Sequence, residues 1–381
     1  MKKRLLFASL LLFLTACTNP TEEEDLSNDD TEEVVEDEDA QTPEVEEPVE
    51  EEVEESEPLD SELTVIADSL EIPWSIYRVD DTFYISERTG SIVKIEGEEV
   101  TRQAVQLERP LATVQEAGLL GFALNPEVDD QTEAIAYYTY NGTNGPTNRV
   151  VILKFLAHVW MASQVLIDDI PSGNVHNGGR LAIGPDGKLY ITTGDAAVLN
   201  VAQDVNSLAG KILRMNLDGS MPEDNPFEDS YVYSYGHRNP QGLGWLEDGT
   251  MYASEHGNQA NDEINRIEAG FNYGWPIIEG TTESAEMETP IFTSGSGNTW
   301  APSGMAVADN KLYVAALRGQ GVLEFDLGTE EFQILLTDHG RIRDIFIEEG
   351  YLYFVTNNTD GRGNPIEGDD HLYRIGLQNV E

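Results

Sequence analysis

Basic residues are scarce in this chain: 22 Lys and Arg stand against 71 Asp and Glu, a formal net charge of −49 over 381 residues. Such an acidic body repels phosphate backbones and anionic lipid surfaces. That argues against nucleic acid or a charged membrane as partner and makes any group of arginines conspicuous. Cysteine is nearly absent too. The single Cys17 excludes a disulfide framework within one chain and leaves residues 63–381 without thiol chemistry. The apolar run from Leu5 to Leu14, behind Lys2, Lys3 and Arg4, is too short for a permanent membrane-spanning helix and reads as an export signal.

That run ends in Leu14-Thr15-Ala16-Cys17, which resembles the bacterial lipobox. Residues 1–17 are therefore expected to be a lipoprotein signal, with Cys17 taking the lipid and anchoring an extracytoplasmic protein to the cell membrane. The segment 18–62 has no Lys, Arg or aromatic residue, is rich in Asp and Glu, and is interrupted by Pro20, Pro43, Pro48 and Pro58. It cannot bury enough apolar surface to offset its ordering entropy, so it reads as an extended, solvated linker. The folded domain is expected over 63–381, a length suited to one propeller or barrel.

Within that domain a short pattern recurs six times: an apolar stretch, a turn and an apolar strand built around tyrosine or its neighbours. The second members are Phe83-Tyr84-Ile85, Ala136-Tyr137-Tyr138, Leu189-Tyr190-Ile191, Met251-Tyr252-Ala253, Leu312-Tyr313-Val314 and Leu352-Tyr353-Phe354. Hairpin turns such as Pro185-Asp186-Gly187-Lys188 and Glu247-Asp248-Gly249-Thr250 join the pairs. Third strands follow, among them Lys211–Met215 and Ile264–Ile267. A spacing of about 40 to 60 residues predicts an all-β, six-bladed β-propeller of four-stranded antiparallel blades. The stretch from Leu63 to Ile66 is expected to close the ring as an outer strand of the last blade.

In a propeller the loop entering the innermost strand and the loop leaving the second strand open onto one mouth of the channel. Entering loops hold Glu116, His176, Asn177, Arg238, Asn239, Trp300, Arg341 and Arg343; leaving loops hold Arg88, Asp195, His256, Arg318 and Asn357. One mouth thus gathers two histidines, carboxylates and five of the scarce arginines, an arrangement that points to an anionic ligand. His176 lies in Asn174-Val175-His176-Asn177-Gly178-Gly179-Arg180, and a neutral imidazole there suits a general base, with Asp195 placed to fix its tautomer. A satisfied turn histidine reads equally well. The stretch from Glu255 to Glu263 is rich in hard oxygen donors without EF-hand spacing, so calcium or a solvated loop both fit it.

Longer motifs add a resemblance. His176-Asn-Gly-Gly-Arg-Leu, Thr193-Gly-Asp195, Gly236-His-Arg-Asn-Pro-Gln-Gly242, Ser254-Glu-His-Gly257, Asp262-Glu-Ile-Asn265 and Asn272-Tyr-Gly-Trp275, in that order, resemble the glucose/sorbosone dehydrogenase family. The resemblance runs from about Ile72 to Ile375. It implies oxidation of sugars with pyrroloquinoline quinone (PQQ) and Ca2+, an aldose substrate and an electron acceptor that the sequence does not name. By position it makes His176 the base, Asp195 its orienting partner and Arg238 a stabiliser of charge on the quinone. It puts Glu116, Asn239, His256, Arg318, Arg341 and Arg343 at cofactor-contacting positions, and assigns Gly257 and Asn258 to calcium, with Glu263 and Tyr273 at a further calcium site. Glu116 and His256 replace Gln of the glucose-specific members, Asn258 replaces Pro and Arg318 replaces Lys, which favours the broader aldose branch.

Two other functions remain open on the sequence. A calcium-dependent propeller lactonase would activate water with metal and a carboxylate and has no need of arginines at the mouth. A non-catalytic binding module would keep the fold alone.

Overall fold

The computed structural model describes residues 62–112, 114–128 and 130–379. The expected export signal, Cys17 and the acidic segment up to residue 61 lie outside the described residues. The described chain is strand and turn apart from two single-turn 3-10 helices, Val201–Gln203 and Leu377–Asn379. None of its helices is long and apolar enough to cross a membrane.

Four sheets have four antiparallel strands each. One runs Leu181–Ile183, Leu189–Thr193, Lys211–Met215, Val232–Tyr235, and the next Pro240–Trp245, Met251–Glu255, Glu263–Ile267, Phe292–Thr293. The third runs Pro302–Ala308, Lys311–Ala316, Gly321–Asp326, Glu331–Leu335. In the last, Ile342–Glu348, Tyr351–Thr356 and Leu372–Gly376 take the N-terminal strand Thr64–Ala67 as outer partner of Leu372–Gly376, as expected for the closing strand. The second strands carry the tyrosine pattern read from the sequence and are buried on both faces, because each sheet is covered by its neighbours on either side.

The fifth sheet departs from the expected four strands. Pro73–Val79, Thr82–Glu87, Ser91–Glu96 and Glu99–Gln106 form one antiparallel run, and Leu119–Leu124, Glu133–Gly142, Gly145–Leu156 and Val159–Pro171 form another. A short parallel pairing, Val105 to Trp160 and Gln106 to Met161, joins them into eight strands. The junction is fixed by packing and by one buried hydrogen bond, Trp160 Nε1 to Gln103 Oε1 at 2.8 Å. The last three strands of the second run are the longest among the described residues, so their ends overhang far enough to meet the preceding sheet.

The first strands touch in sequence order. Pro73–Val79 packs on Leu119–Leu124, which meets Leu181–Ile183; Leu189–Thr193 meets Pro240–Trp245, which meets Pro302–Ala308; Ile342–Glu348 closes the circuit against Pro73–Val79. A buried ion pair crosses the centre of this circuit. Arg180 donates to Asp344 Oδ2 at 2.7 Å and, through Nε, to the carbonyl of Gln241 at 2.8 Å, while its guanidinium lies 4.5 Å from the Trp74 ring. Asp344 Oδ2 also accepts the N–H of Ile76 at 2.7 Å. Burial pushes the Asp344 carboxyl above its ordinary value, and Arg180 offsets only part of that rise. Glycine is required opposite it: a Cβ on Gly304 would lie 1.6 Å from Asp344 Oδ1.

Removing one member of a buried pair strands the other charge. Asp344→Asn is therefore expected to cost about 3–5 kcal/mol in urea unfolding. Arg180→Met combined with it should cost clearly less than the sum of the single changes. Single losses under about 1 kcal/mol would mean that the pair does not hold the sheets together.

Candidate active site

The loops at one end of the ring are held by carboxylates at or between the ends of second and third strands. Glu87 accepts the N–H of Glu71 at 2.7 Å, the Ser91 hydroxyl at 2.6 Å and Arg102 Nε at 2.7 Å. Glu255 accepts His237 Nδ1 at 2.8 Å and the N–H of Arg238. Asp262 takes the N–H groups of Gly257 at 2.9 Å, Trp300 at 2.5 Å and Ala301 at 2.8 Å. Backbone donors of the loops are thus satisfied without regular pairing, which leaves the remaining side chains free to face the opening.

Among them, His176 is held from both sides of its ring. Nδ1 lies 2.7 Å from Asp195 Oδ1, and Nε2 lies 2.9 Å from the guanidinium of Arg238. A guanidinium only donates, so Nε2 is the acceptor and Nδ1 carries the proton that Asp195 receives. Asp195 is itself fixed by Trp275 Nε1 at 2.8 Å and by the N–H of Ala197 at 2.8 Å. His176 adopts a φ of 60°, and a Cβ on Gly194 would sit 2.0 Å from its carbonyl oxygen, so the turn needs glycine beneath it. Its N–H donates to Glu116 Oε2 at 2.9 Å. Asn239 is buried and accepts the N–H of Gly178 at 3.0 Å, so it steadies the same turn. This arrangement offers a neutral imidazole with a defined lone pair, next to a cation: the equipment for removing a proton from a hydroxyl.

Beside this group lies a cleft lined by Arg88, Glu116, Gln241, His256, Arg343 and Arg362, with Trp74 at its wall. Arg343 is buried, and its bonds go to neutral oxygens alone: Gln241 Oε1 at 2.9 Å, Asn357 Oδ1 at 3.2 Å and Ser303 Oγ at 3.4 Å, with Nε unpartnered. Burial, and then the neighbouring Arg341, pull its guanidinium down to about 9. Arg88 likewise donates to the carbonyls of Gln115 and Ala117. Arg341 differs, being paired with Asp360 at 3.1 Å. Together with Arg318 and Arg362 it lines an adjoining cleft.

The calcium expectations fall in two places. The carbonyls of His256 and Asn258 face Arg238, at 3.2 and 3.4 Å, so this loop presents oxygen to positive charge. Glu263 lies across the strand from Glu255 and is pushed up to about 8, by burial first and then by Glu255. Glu279 Oε2 and Asn265 Oδ1 are buried without partners. Glu263 itself accepts the N–H of Gly280 at 2.7 Å and Asn265 Nδ2 at 3.2 Å, so only the Glu279 and Asn265 oxygens are left to suit a hard cation. Among the described residues, however, no three acidic, histidine or cysteine side chains converge to hold a metal, so main-chain carbonyls would have to complete any site. The Tyr273 hydroxyl is committed to the carbonyl of Arg266 at 2.7 Å, and its ring stacks on His237.

The structure thus brings His176, Asp195, Arg238, Asn239, Glu116, His256 and Arg343 together, with Arg341 and Arg318 alongside and Glu263 and Tyr273 behind Arg238. Trp300 lies in the entering loop as expected, but packs its indole on Phe325 and Phe332. Sequence reasoning missed the roles of Trp275, Gln241, Asp360 and Arg362. The signal for the last two was present in Asp360-Gly361-Arg362-Gly363, a turn carrying one of the few arginines.

Comparison with known proteins gives the following. The family model described as Glucose / Sorbosone dehydrogenase matches residues 70–373. An aldose sugar dehydrogenase (YliI) of Escherichia coli is 30% identical over 353 residues, covering 80% of this chain and 92% of that one. Quinoprotein glucose dehydrogenase B of Acinetobacter calcoaceticus is 33% identical over 260 residues, with 59% of this chain and about half of the relative, 54%, aligned. Among solved structures, the PQQ-bound aldose sugar dehydrogenase of Streptomyces coelicolor superposes with a TM-score of 0.76 at 34% identity, over 83% of this chain and 98% of that one.

His256 gives the site a measurable pH signature. Burial pulls its imidazole down to about 4, and its Nε2 has no partner. The folded protein therefore favours the neutral ring, so this contribution to stability is full above the unfolded value of about 6.5 and is lost as pH falls through 4. Urea midpoints of His256→Gln between pH 7 and 4 should fall less steeply than those of the parent, by up to one proton taken up on unfolding. Parallel curves would contradict the burial of an uncharged ring.

Proposed function

The chain belongs to the glucose/sorbosone dehydrogenase family, and from that premise we propose that it oxidises aldose sugars to lactones with PQQ and calcium at one mouth of a six-bladed propeller. The blade count rests on reading the eight-stranded sheet as two four-stranded blades joined at the Val105–Gln106 pairing. The observation that carries the cofactor is Arg343, a buried cation whose side chain meets only neutral oxygens. A buried cation with no carboxylate counter-charge in direct contact is costly, and Asp360 and Glu116 reach Arg343 only through space. A quinone with several carboxylates supplies that counter-charge, and a neutral lactone does not.

When bound, the quinone accepts the hydride and calcium polarises it as a Lewis acid. The residues of this chain do the rest. His176 Nε2 takes the hydroxyl proton as the C–H electron pair departs, and Asp195 stabilises the imidazolium through Nδ1. Arg238, which caps Nε2, must yield that position to the sugar hydroxyl and then lies beside the developing negative charge. Arg343, Arg341 and Arg318 would grip carboxylates as charge-assisted pairs, with Arg341 shared with Asp360. The carbonyls of Gly257 and Asn258 would hold the calcium, and Glu263 and Tyr273 would serve a second ion. Export and tethering through Cys17, with residues 18–62 as spacer, belong to the same proposal.

The test is titration of cofactor-free protein with PQQ in the presence of calcium at one salt concentration. Arg343→Ala and Arg341→Ala are each expected to weaken binding by about 1.5–3 kcal/mol, roughly 10- to 150-fold in Kd. No saturable binding by the parent would sink the dehydrogenase reading, and equal binding by parent and variants would sink this site. His176→Gln should lower sugar-dependent dye reduction by about 100-fold or more with little change in quinone affinity. Turnover within a few-fold of the parent would make His176 a turn residue.

A further inference from the structure

The backbone at His176 has to be restrained from outside. At φ 60° a residue other than glycine holds a sparsely populated conformation, which persists only when its surroundings over-determine it. Its carbonyl accepts the N–H of Ala196 at 3.3 Å, a long bond. Its N–H makes the shorter one, 2.9 Å to Glu116 Oε2, and the N–H of Glu116 returns to the carbonyl of Asn174 at 3.0 Å. The turn that presents the imidazole is therefore fastened to a second segment through one carboxylate.

That carboxylate is fastened in turn. Its other oxygen, Oε1, lies 2.8 Å from Arg362, a residue of the loop between Tyr351–Thr356 and Leu372–Gly376. The N–H of Arg362 donates to Asp360 Oδ1 at 2.9 Å, and Asp360 Oδ2 accepts Arg341 at 3.1 Å. A continuous line of contacts runs from Arg341 through the Asp360–Arg362 turn to Glu116 and the His176 backbone. Burial pushes the Glu116 carboxyl up, but Arg362, the His176 N–H and His256 outweigh it and hold it below its ordinary value.

We propose that Arg362 is a positioning residue for His176, acting through Glu116. The inference deepens the functional reading and rests on it for the identity of His176 as base. Arg362 is itself partly exposed, and its replacement takes the ionic partner from the Glu116 carboxylate. Glu116→Gln keeps an oxygen for the His176 N–H while removing the ionic partner of Arg362.

Two measurements decide it. In cofactor-free protein, hydrogen exchange of the His176 amide should accelerate by roughly 10-fold in Arg362→Ala, while the Gly178 amide, held by Asn239, stays within about 2-fold. Arg362→Lys should restore most of the protection. In sugar oxidation at saturating quinone, Arg362→Ala should lower kcat by roughly 10-fold with the sugar KM little changed, and this loss should shrink to under about 2-fold in the Glu116→Gln background. Equal losses in both backgrounds, or a loss found wholly in quinone Kd, would overturn the proposal and make Arg362 a cofactor ligand. Unchanged His176 exchange would overturn it as well. A parent that oxidises no sugar sinks only the functional reading, because the exchange comparison still decides the positioning.

Discussion

The ion pair between Arg180 and Asp344 is the constraint on which the site depends. It draws on three parts of the chain far apart in sequence, and Arg180 adds the carbonyl of Gln241 as a fourth. Each member is the end of a functional segment. Arg180 closes the five-residue stretch that begins with His176, and Asp344 follows Arg343 directly. The side chain of Gln241 meets Arg343 while its main chain meets Arg180. A buried pair of this kind adds little net stability over a well-packed apolar core, but it fixes direction and register in a way that apolar contacts do not. Here the register it fixes is that of the His176 turn on one side and of Arg343 on the other.

Acidity of the whole chain and cationic character of the cleft are compatible because the carboxylates and the arginines do different work. Glu87, Glu255, Asp262 and Asp370 are turned inward and spend their oxygens on N–H and hydroxyl groups of the loops. Surface carboxylates set a long-range field that repels anions, yet salt screens it within about 8 Å at physiological ionic strength. Affinity for an anionic ligand must then come from contact. The mouth supplies it with guanidinium groups whose desolvation has already been paid in folding, so binding recovers interaction energy without a fresh cost of burying a cation.

Much of the architecture was legible in the sequence because strand periodicity reports which face is buried, and the tyrosine-centred second strands, the hairpin turns and the closing strand at Thr64–Ala67 all follow from it. The rule that entering and leaving loops share one mouth also placed His176, Asp195, Arg238 and Arg343 correctly near one another. It failed for Trp300, where the loop is entered but the side chain turns into the apolar layer formed with Phe325 and Phe332. Periodicity says nothing of partners, so the parallel junction at Trp160, the hold of Glu116 on the His176 backbone and the Glu116–Arg362 pair were invisible. Those contacts join residues far apart in the chain, and the residue types of the last two, taken singly, look like ordinary surface charge.

The arrangement around the imidazole also explains why a cation can sit against a base without disabling it. Asp195 takes a proton at Nδ1 and Arg238 gives one at Nε2, so only one neutral tautomer satisfies both partners. Protonation of Nε2 would set an imidazolium against a guanidinium, which the single carboxylate of Asp195 must balance for both. In the observed arrangement Nε2 is the acceptor, its lone pair turned to Arg238. In the proposed reaction, a hydroxyl that displaced the guanidinium and gave up its proton would leave an imidazolium that the same repulsion encourages to pass that proton to solvent, returning Arg238 to Nε2. On that reading the proposed base would be reset by the geometry that prepared it, with Asp195 as its orienting group.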